Sequence, residues 1–200
     1  MDLPLLLAYA RLYKEHGHVL YAIGGTSRDA LLGFVPSDFD FVTDATPEES
    51  KAFLPEADYA FAKFGSIKTK CDGVEVDITT FREEGAYLDF RHPSFVRFVS
   101  SPEIDSARRD FTVNALYLDE QGNVLDFHNG LSDLKNGTIR FIGDPAQRIQ
   151  EDPLRILRAE RFARRLGFQI DPLSQKAIDE NRHLLAKLNP EKVKSEAKKG

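Results

Sequence analysis

The sequence predicts an α+β protein: a mixed α/β first part of about 140 residues, then an all-α region. Three observations carry that prediction. Short apolar or alternating stretches in the first part are punctuated by glycine-marked turns, the pattern of strands and hairpins. Strands and helices do not alternate regularly enough there for a doubly wound parallel sheet. From Pro145 onward the pattern is helical, with breaks at Gly167 and Pro172. The expected domains are therefore residues 1–140 and 141–200.

Each element follows from local chemistry. Residues 3–16 place Leu3, Leu6, Leu7, Ala10 and Tyr13 at helical spacing, and His16-Gly17 closes that helix. Val19 to Ile23 is an apolar run ending at Gly24-Gly25, which reads as a buried strand. Arg28 to Leu32 is helical and stops at Gly33. Asp38 to Thr43 alternates strictly, the strand period. Thr46-Pro47-Glu48-Glu49 offers an N-cap, a proline at the first helical position and a glutamate at the third, so a helix to about Leu54 follows. Strands at 66–70 and 74–81 flank Asp72-Gly73, a strong hairpin signal. Residues 82–95 are polar and turn-rich and read as a mobile loop. A second hairpin is expected from Phe111–Leu118 and Val124–Phe127. The tail from Pro190 is Lys-rich and expected to fray.

Composition excludes several classes. The 27 basic and 32 acidic side chains give a net charge of −5, which rules out a uniformly basic nucleic-acid wrapper. One cysteine, Cys71, cannot form an intramolecular disulfide or by itself a cysteine zinc site. No apolar run approaches the roughly 20 residues needed to span a bilayer. The first residues lack the basic flank and apolar length of a secretory signal, so a cytoplasmic location and no membrane partner are expected. Charge is also unevenly spread: residues 1–150 are net −9 and residues 151–200 net +4. An acidic region can hold cations and a basic helical one can meet phosphates, although helices also carry Lys and Arg on wet faces.

Asp38 and Asp40 stand two apart on the alternating strand, so both point to one face while Phe39 and Phe41 anchor the other. A bare D-x-D also suits a solvated face. Two like charges on one face are unfavourable unless a cation lies between them, and Mg²⁺ typically takes one or two carboxylates plus substrate phosphates. Gly24-Gly25-Thr26-Ser27-Arg28-Asp29 follows a strand and opens a helix, exposing backbone N–H groups to an anion, and Arg28 can add a bidentate phosphate contact. It is neither a Walker A loop nor G-x-G-x-x-G. An anion site beside a metal site fits a triphosphate with Mg²⁺.

Gly24-Gly25-x-x-Arg28-Asp29-x-Leu31-Leu32-Gly33, together with Asp38-x-Asp40-x-x-Thr43, resembles the signature of the DNA polymerase β-like nucleotidyltransferase superfamily. Arg108-Arg109-Asp110-Phe111-Thr112-Val113-Asn114-Ala115 and Glu151-Asp152-Pro153-Leu154-Arg155-Ile156-Leu157-Arg158 resemble two further motifs of its class II tRNA nucleotidyltransferase (CCA-adding) and bacterial poly(A) polymerase branch. The resemblance runs over residues 18–186. Ser27 departs from it, standing where the family usually has an apolar residue.

The resemblance implies a mixed-sheet, polymerase β-like head followed by an all-α neck. It implies attack of a tRNA 3′-hydroxyl on the α-phosphate of CTP or ATP, with pyrophosphate leaving. Phosphoryl transfer of this kind is mostly positioning and charge stabilisation. Asp38 and Asp40 would hold Mg²⁺, with Asp77 a third carboxylate. Gly24, Gly25 and Arg28 would hold the triphosphate. Arg109 would contact the nucleotide, and Asp110 would support the helical site. Glu151 and Arg155 are spaced as an i, i+4 ion pair. Asp152 and Arg155 would read the base: a carboxylate accepts from the exocyclic amine of cytosine or adenine, and a guanidinium donates to their ring nitrogens. Arg158 and Arg161 would orient that pair or touch phosphate.

Asp89 and Arg91 match the flexible element that lets CCA-adding enzymes switch from C to A, so Arg91→Ala is expected to impair A addition far more than C addition. Resembled proteins continue for well over a hundred residues as body and tail regions, so a catalytic fragment is expected. A poly(A) polymerase or A-adding enzyme is one alternative. A non-catalytic nucleotide- or RNA-binding module is another.

Overall fold

A computed structural model describes residues 3–87 and 93–198. The chain divides into two compact units, each gathered from more than one stretch of sequence. The first comprises Met1–Glu83, Val96–Ser106 and Asn114–Phe127; the second comprises Glu84–Phe95, Ala107–Val113 and His128–Gly200.

In the first unit, helix α1 (Pro4–Glu15) starts on a proline and buries Leu6, Tyr9, Ala10 and Tyr13 on one stripe. Tyr13 is fully buried, and its hydroxyl finds Ser50 Oγ at 3.1 Å. Strand β1 (Leu20–Ala22) leads into α2 (Gly24–Leu31). That helix begins one turn earlier than its sequence suggests, so Gly24 and Gly25 form its first turn. Gly24 enters at φ +63°, a conformation side chains rarely adopt. Strand β2 (Phe39–Thr43) is followed by α3 (Pro47–Lys51), shorter than expected but with the Thr46–Glu49 capping box in place. The hairpin of β3 (Ser66–Cys71) and β4 (Val74–Thr80) turns through Asp72 and Gly73, both at positive φ.

Further elements depart from the sequence reading. Arg82–Glu84 is a strand, β5, paired with β6 (Val96–Phe98), where a loop was expected. Its polar sequence is held by polar partners: the Arg82 N–H donates to Asp105 Oδ1 at 3.0 Å and Arg97 pairs with Glu83. Helix α4 (Pro102–Ala107) follows, and the second hairpin is narrower than expected, β7 (Leu116–Leu118) and β8 (Val124–Asp126).

The main sheet has the order β3-β4-β2-β1-β7-β8. It is mixed: β2 and β4 are parallel, and the other neighbours are antiparallel. One face packs Phe41, Val76, Ile78 and Ile67 against Leu6, Tyr9, Ala10 and Tyr13 of α1. Val42, Tyr117, Phe81 and Ile23 form a separate cluster with Tyr21, Val99 and Phe127. The α+β class with a mixed sheet is therefore as the sequence predicts.

The second unit is mainly helical. It holds α5 (Gly130–Asn136), β9 (Thr138–Ile139), α6 (Pro145–Glu151), α7 (Leu154–Leu166), β10 (Gln169–Ile170), α8 (Pro172–Asn181) and α9 (Pro190–Lys198). Asp144 and Asp171 cap α6 and α8, each ahead of a proline at the first helical position. Phe111 packs on Phe141 and Phe162, with centroids 4.9 and 5.8 Å away. The tail from Pro190 is a helix through Lys198 rather than frayed chain, because Glu196 is buried against Arg161. Glu151 and Asp152 do not share a helix with Arg155. Asp152 is extended, and its side chain accepts from the Leu154 N–H at 3.1 Å, closing α6 and opening α7.

Candidate active site

The first unit builds a row of charges across three strands. Parallel pairing puts Asp40 of β2 directly opposite Asp77 of β4. Antiparallel pairing puts Lys68 of β3 opposite Asp77. Register partners share a sheet face, so Asp40, Asp77 and Lys68 stand side by side. The Lys68 ammonium lies 3.2 Å from Asp77 Oδ1, an ion-pair contact, and that oxygen is shielded from water without a well-formed hydrogen bond among the described residues. The Lys68 pKa is raised by Asp77, with Glu75 and Asp40 adding to it. Asp38 lies just before β2 and is exposed, its carboxylate accepting from Ser37 Oγ at 3.2 Å.

Gly24 stands beside this row: a Cβ there would lie 3.8 Å from Asp40 Oδ2. No side chain caps the start of α2, and its first turn holds no acidic residue. Its N–H groups thus keep the positive end of the helix available to an anion. Thr26, absent from the sequence-derived candidates, locks the two elements together. Its hydroxyl donates to the Asp38 carbonyl at 2.9 Å and accepts from the Asp40 N–H at 2.8 Å. The signal for it in the sequence was a threonine directly after the two glycines, next to the D-x-D strand.

Arg28, expected to hold the triphosphate, lies on α2 itself. It is 1% exposed, and its guanidinium donates to Asp29 Oδ1 and, at 2.8 Å, to Asn114 Oδ1. Its Nη2 lies beside the glycine turn, 3.6 Å from where a Cβ on Gly25 would stand. Ser27 is also fully buried and donates to the Gly24 carbonyl at 3.3 Å.

A divalent cation fits this row by the chemistry of its donors. The available ligands are carboxylate oxygens, suited to Mg²⁺, and Asp77 Oδ1 has no hydrogen bond to lose. Among the described residues, no three or more His, Cys, Asp or Glu side chains are gathered as a metal cage. A bound ion would complete its shell with phosphate and water oxygens.

The second unit carries a different arrangement, in which charges neutralise one another. Arg158 pairs with Asp110 and, at 3.5 Å, with Asp152. Burial alone would raise the Asp110 pKa; the charges of Arg158 and Arg155, with hydrogen bonds from Arg158 and the Phe111 N–H, outweigh it and hold the carboxyl below its ordinary range. Asp110 correspondingly raises Arg158. Glu151 Oε2 accepts from Arg148 Nη1 at 2.6 Å and Arg155 Nη1 at 3.0 Å. Arg155 is 4% exposed, and its Nε–H has no partner. Its guanidinium carbon lies 5.5 Å from the Tyr87 ring centre. The Tyr87 hydroxyl donates to Glu84, and burial together with that carboxylate pushes its pKa up to about 12. Arg109 is half-buried, and its carbonyl accepts from Arg148 Nη2 at 3.0 Å. Arg161 is drawn away from this group, pairing with Glu196 of α9. Asp89 and Arg91 lie outside the described residues. No helix among the described residues is long and apolar enough to cross a membrane.

A mixed-sheet α+β head joined to helices is the class that this fold defines. The sequence matches the poly A polymerase head domain over residues 20–140, and the chain belongs to that family. The CCA-adding enzyme of Bacillus licheniformis is 43% identical over 197 residues, which cover 98% of this chain and 49% of that enzyme. The crystal structure of the Bacillus stearothermophilus CCA-adding enzyme in complex with CTP matches with a TM-score of 0.88 at 35% identity, covering 98% of this chain and 48% of that one. A tRNA nucleotidyltransferase complexed with a primer tRNA and an incoming ATP analog matches with a TM-score of 0.75 at 32% identity, over 94% of this chain and 54% of that one. The chain thus spans about half the length of the curated relatives it matches.

Proposed function

We propose that the chain is the catalytic part of a cytoplasmic, template-independent tRNA nucleotidyltransferase that adds C and A from CTP and ATP to the tRNA 3′ end. The row of Asp40 and Asp77 beside the uncapped start of α2 carries this reading. Support also comes from relatives named as CCA-adding enzymes, one of them seen in complex with CTP.

Asp38, Asp40 and Asp77 are assigned to Mg²⁺, which when bound would stabilise the developing charge at the transferred phosphorus. Backbone N–H groups at Gly24 and Gly25 take the triphosphate, together with the Arg28 guanidinium beside them. Arg109 meets the nucleotide. Asp152 and Arg155 inspect the base, positioned by Glu151, Asp110 and Arg158. The buried Arg155 Nε–H without an acceptor suits a ring nitrogen or carbonyl of a base. We assign phosphate and metal handling to residues 1–140 and base selection to residues 141–200.

The test is incorporation of labelled CTP and ATP into tRNA lacking its 3′ end, with and without Mg²⁺. Addition of both nucleotides, only with Mg²⁺, is the expected result. A addition alone, on tRNA ending in CC or on unrelated RNA, would support an A-adding enzyme or poly(A) polymerase. Metal-independent nucleotide binding without incorporation, unchanged in Asp38→Ala and Asp40→Ala, would establish a non-catalytic module.

A further inference from the structure

Arg148, on the last turn of α6, is the side chain that ties the second unit's charge cluster together. Three contacts define it. Its Nη1 shares Glu151 Oε2 with Arg155 Nη1. Its carbonyl accepts a second hydrogen bond from Arg155 Nη1, at 2.6 Å. Its Nη2 reaches the carbonyls of Arg108 and Arg109, at 2.5 and 3.0 Å. Arg155 Nη1 therefore spends both hydrogens on groups fixed by residue 148 or its partner Glu151. The Nε–H groups of Arg155 and of Arg148 are both left buried without an acceptor among the described residues. A guanidinium offers its five N–H groups in a rigid plane, so fixing one terminal nitrogen fixes where the remaining donors point.

We propose that Arg148 is a specificity-positioning residue, which orients Arg155 through Glu151 and its own carbonyl and so sets which bases that guanidinium accepts. This rests on the proposed base-reading role of Arg155. The arrangement is costly: burial and the neighbouring charge of Arg155 both push the Arg148 pKa down, and two like charges share one carboxylate. A planar fork is required because one group must meet a carboxylate and two carbonyls together. A lysine ammonium lacks that geometry.

The test is equilibrium binding of CTP and UTP, with Mg²⁺ and without primer, to wild type, Arg148→Gln and Arg148→Lys, each checked by circular dichroism and thermal melting. Wild type is expected to favour CTP. Arg148→Gln should lower the CTP:UTP preference about tenfold, the scale of one mispaired buried donor. Arg148→Lys should lower it about threefold while melting near wild type. Should Arg148→Gln not fold, Arg148→Lys decides alone. Wild-type preference retained in a folded variant, or equal losses for both nucleotides with the ratio unchanged, overturns the proposal and leaves Arg148 purely structural. No preference in wild type itself would instead overturn the base-reading role of Arg155, and this proposal with it.

Discussion

The two units treat charge in opposite ways. On the sheet face of the first, Asp40 and Asp77 stand in register beside the half-exposed Lys68, and Asp77 Oδ1, shielded from water, lacks a hydrogen bond among the described residues. In the second, Asp110, Glu151 and Asp152 are each matched to buried or half-buried arginines within the protein. The first arrangement sets carboxylate oxygens side by side, donors that suit a hard cation. The second is neutralised and rigid, which suits recognition of an uncharged base by donors and acceptors at fixed positions. Removing a charge should therefore cost activity in the first unit and stability in the second.

The largest contrast is expected at Asp40. Asp40→Asn should lower nucleotide incorporation on the order of 10²–10³-fold, as for loss of one group aimed at developing transition-state charge. Its thermal midpoint should stay unchanged or rise, because like-charge repulsion with Asp77 is relieved. Unfolding of Asp40→Asn under ordinary conditions would break the contrast.

Asp110→Ala is the converse. It leaves Arg158 with Asp152 alone among the described residues, at 3.5 Å, and urea unfolding should show a loss of about 1–3 kcal/mol, less than a fully buried broken pair because Arg158 is partly exposed. The pH dependence sharpens this. The folded Asp110 pKa lies below the unfolded value of about 3.9. Its stabilising contribution is thus complete above that value and drains away as pH falls toward the lower folded pKa. Asp110→Asn should flatten stability against pH below about pH 4; an unchanged acid limb would show that Asp110 is not held ionised.

Thr26 tests the seam of the first unit. Thr26→Val keeps the shape and removes the hydroxyl that satisfies the Asp38 carbonyl and Asp40 N–H, so unfolding should register a loss of about 1–3 kcal/mol. The smallest effect belongs to Lys68→Met, which removes a half-exposed ion pair worth about 0.2–1 kcal/mol. A larger loss there would mean that the acidic row relies on lysine structurally.

Asp38 and Asp40 were legible because polar and apolar residues alternate from Asp38 to Phe41, whereas Asp77 came from the resemblance and its register opposite Asp40 follows from strand pairing that no local pattern records. The start of α2 was hidden: glycine disfavours helices, and only the left-handed Gly24 lets the chain turn from β1 straight into one. The break at Asp152 was hidden for a different reason. A proline is tolerated at a helix start, so Pro153 allows a helix from Glu151; in the structure it forces Asp152 into extended geometry, and the Asp152 side chain accepting from the Leu154 N–H ends one helix and begins the next. Strand β5 and helix α9 escaped notice because ion pairs distant in sequence hold their polar residues, and no local pattern records such pairs. Arg148 was invisible likewise: its partners include carbonyls some forty residues away.

The division of labour is tested most directly by measuring Mn²⁺ binding and the CTP:UTP preference on three proteins: wild type, Asp40→Asn/Asp77→Asn and Arg155→Gln. The double variant should lose Mn²⁺ binding yet keep the nucleotide preference, while Arg155→Gln keeps Mn²⁺ and loses the preference. If each variant loses both properties, or if the preference falls with the carboxylates and survives without Arg155, cation holding and base reading do not reside in separate sets of residues.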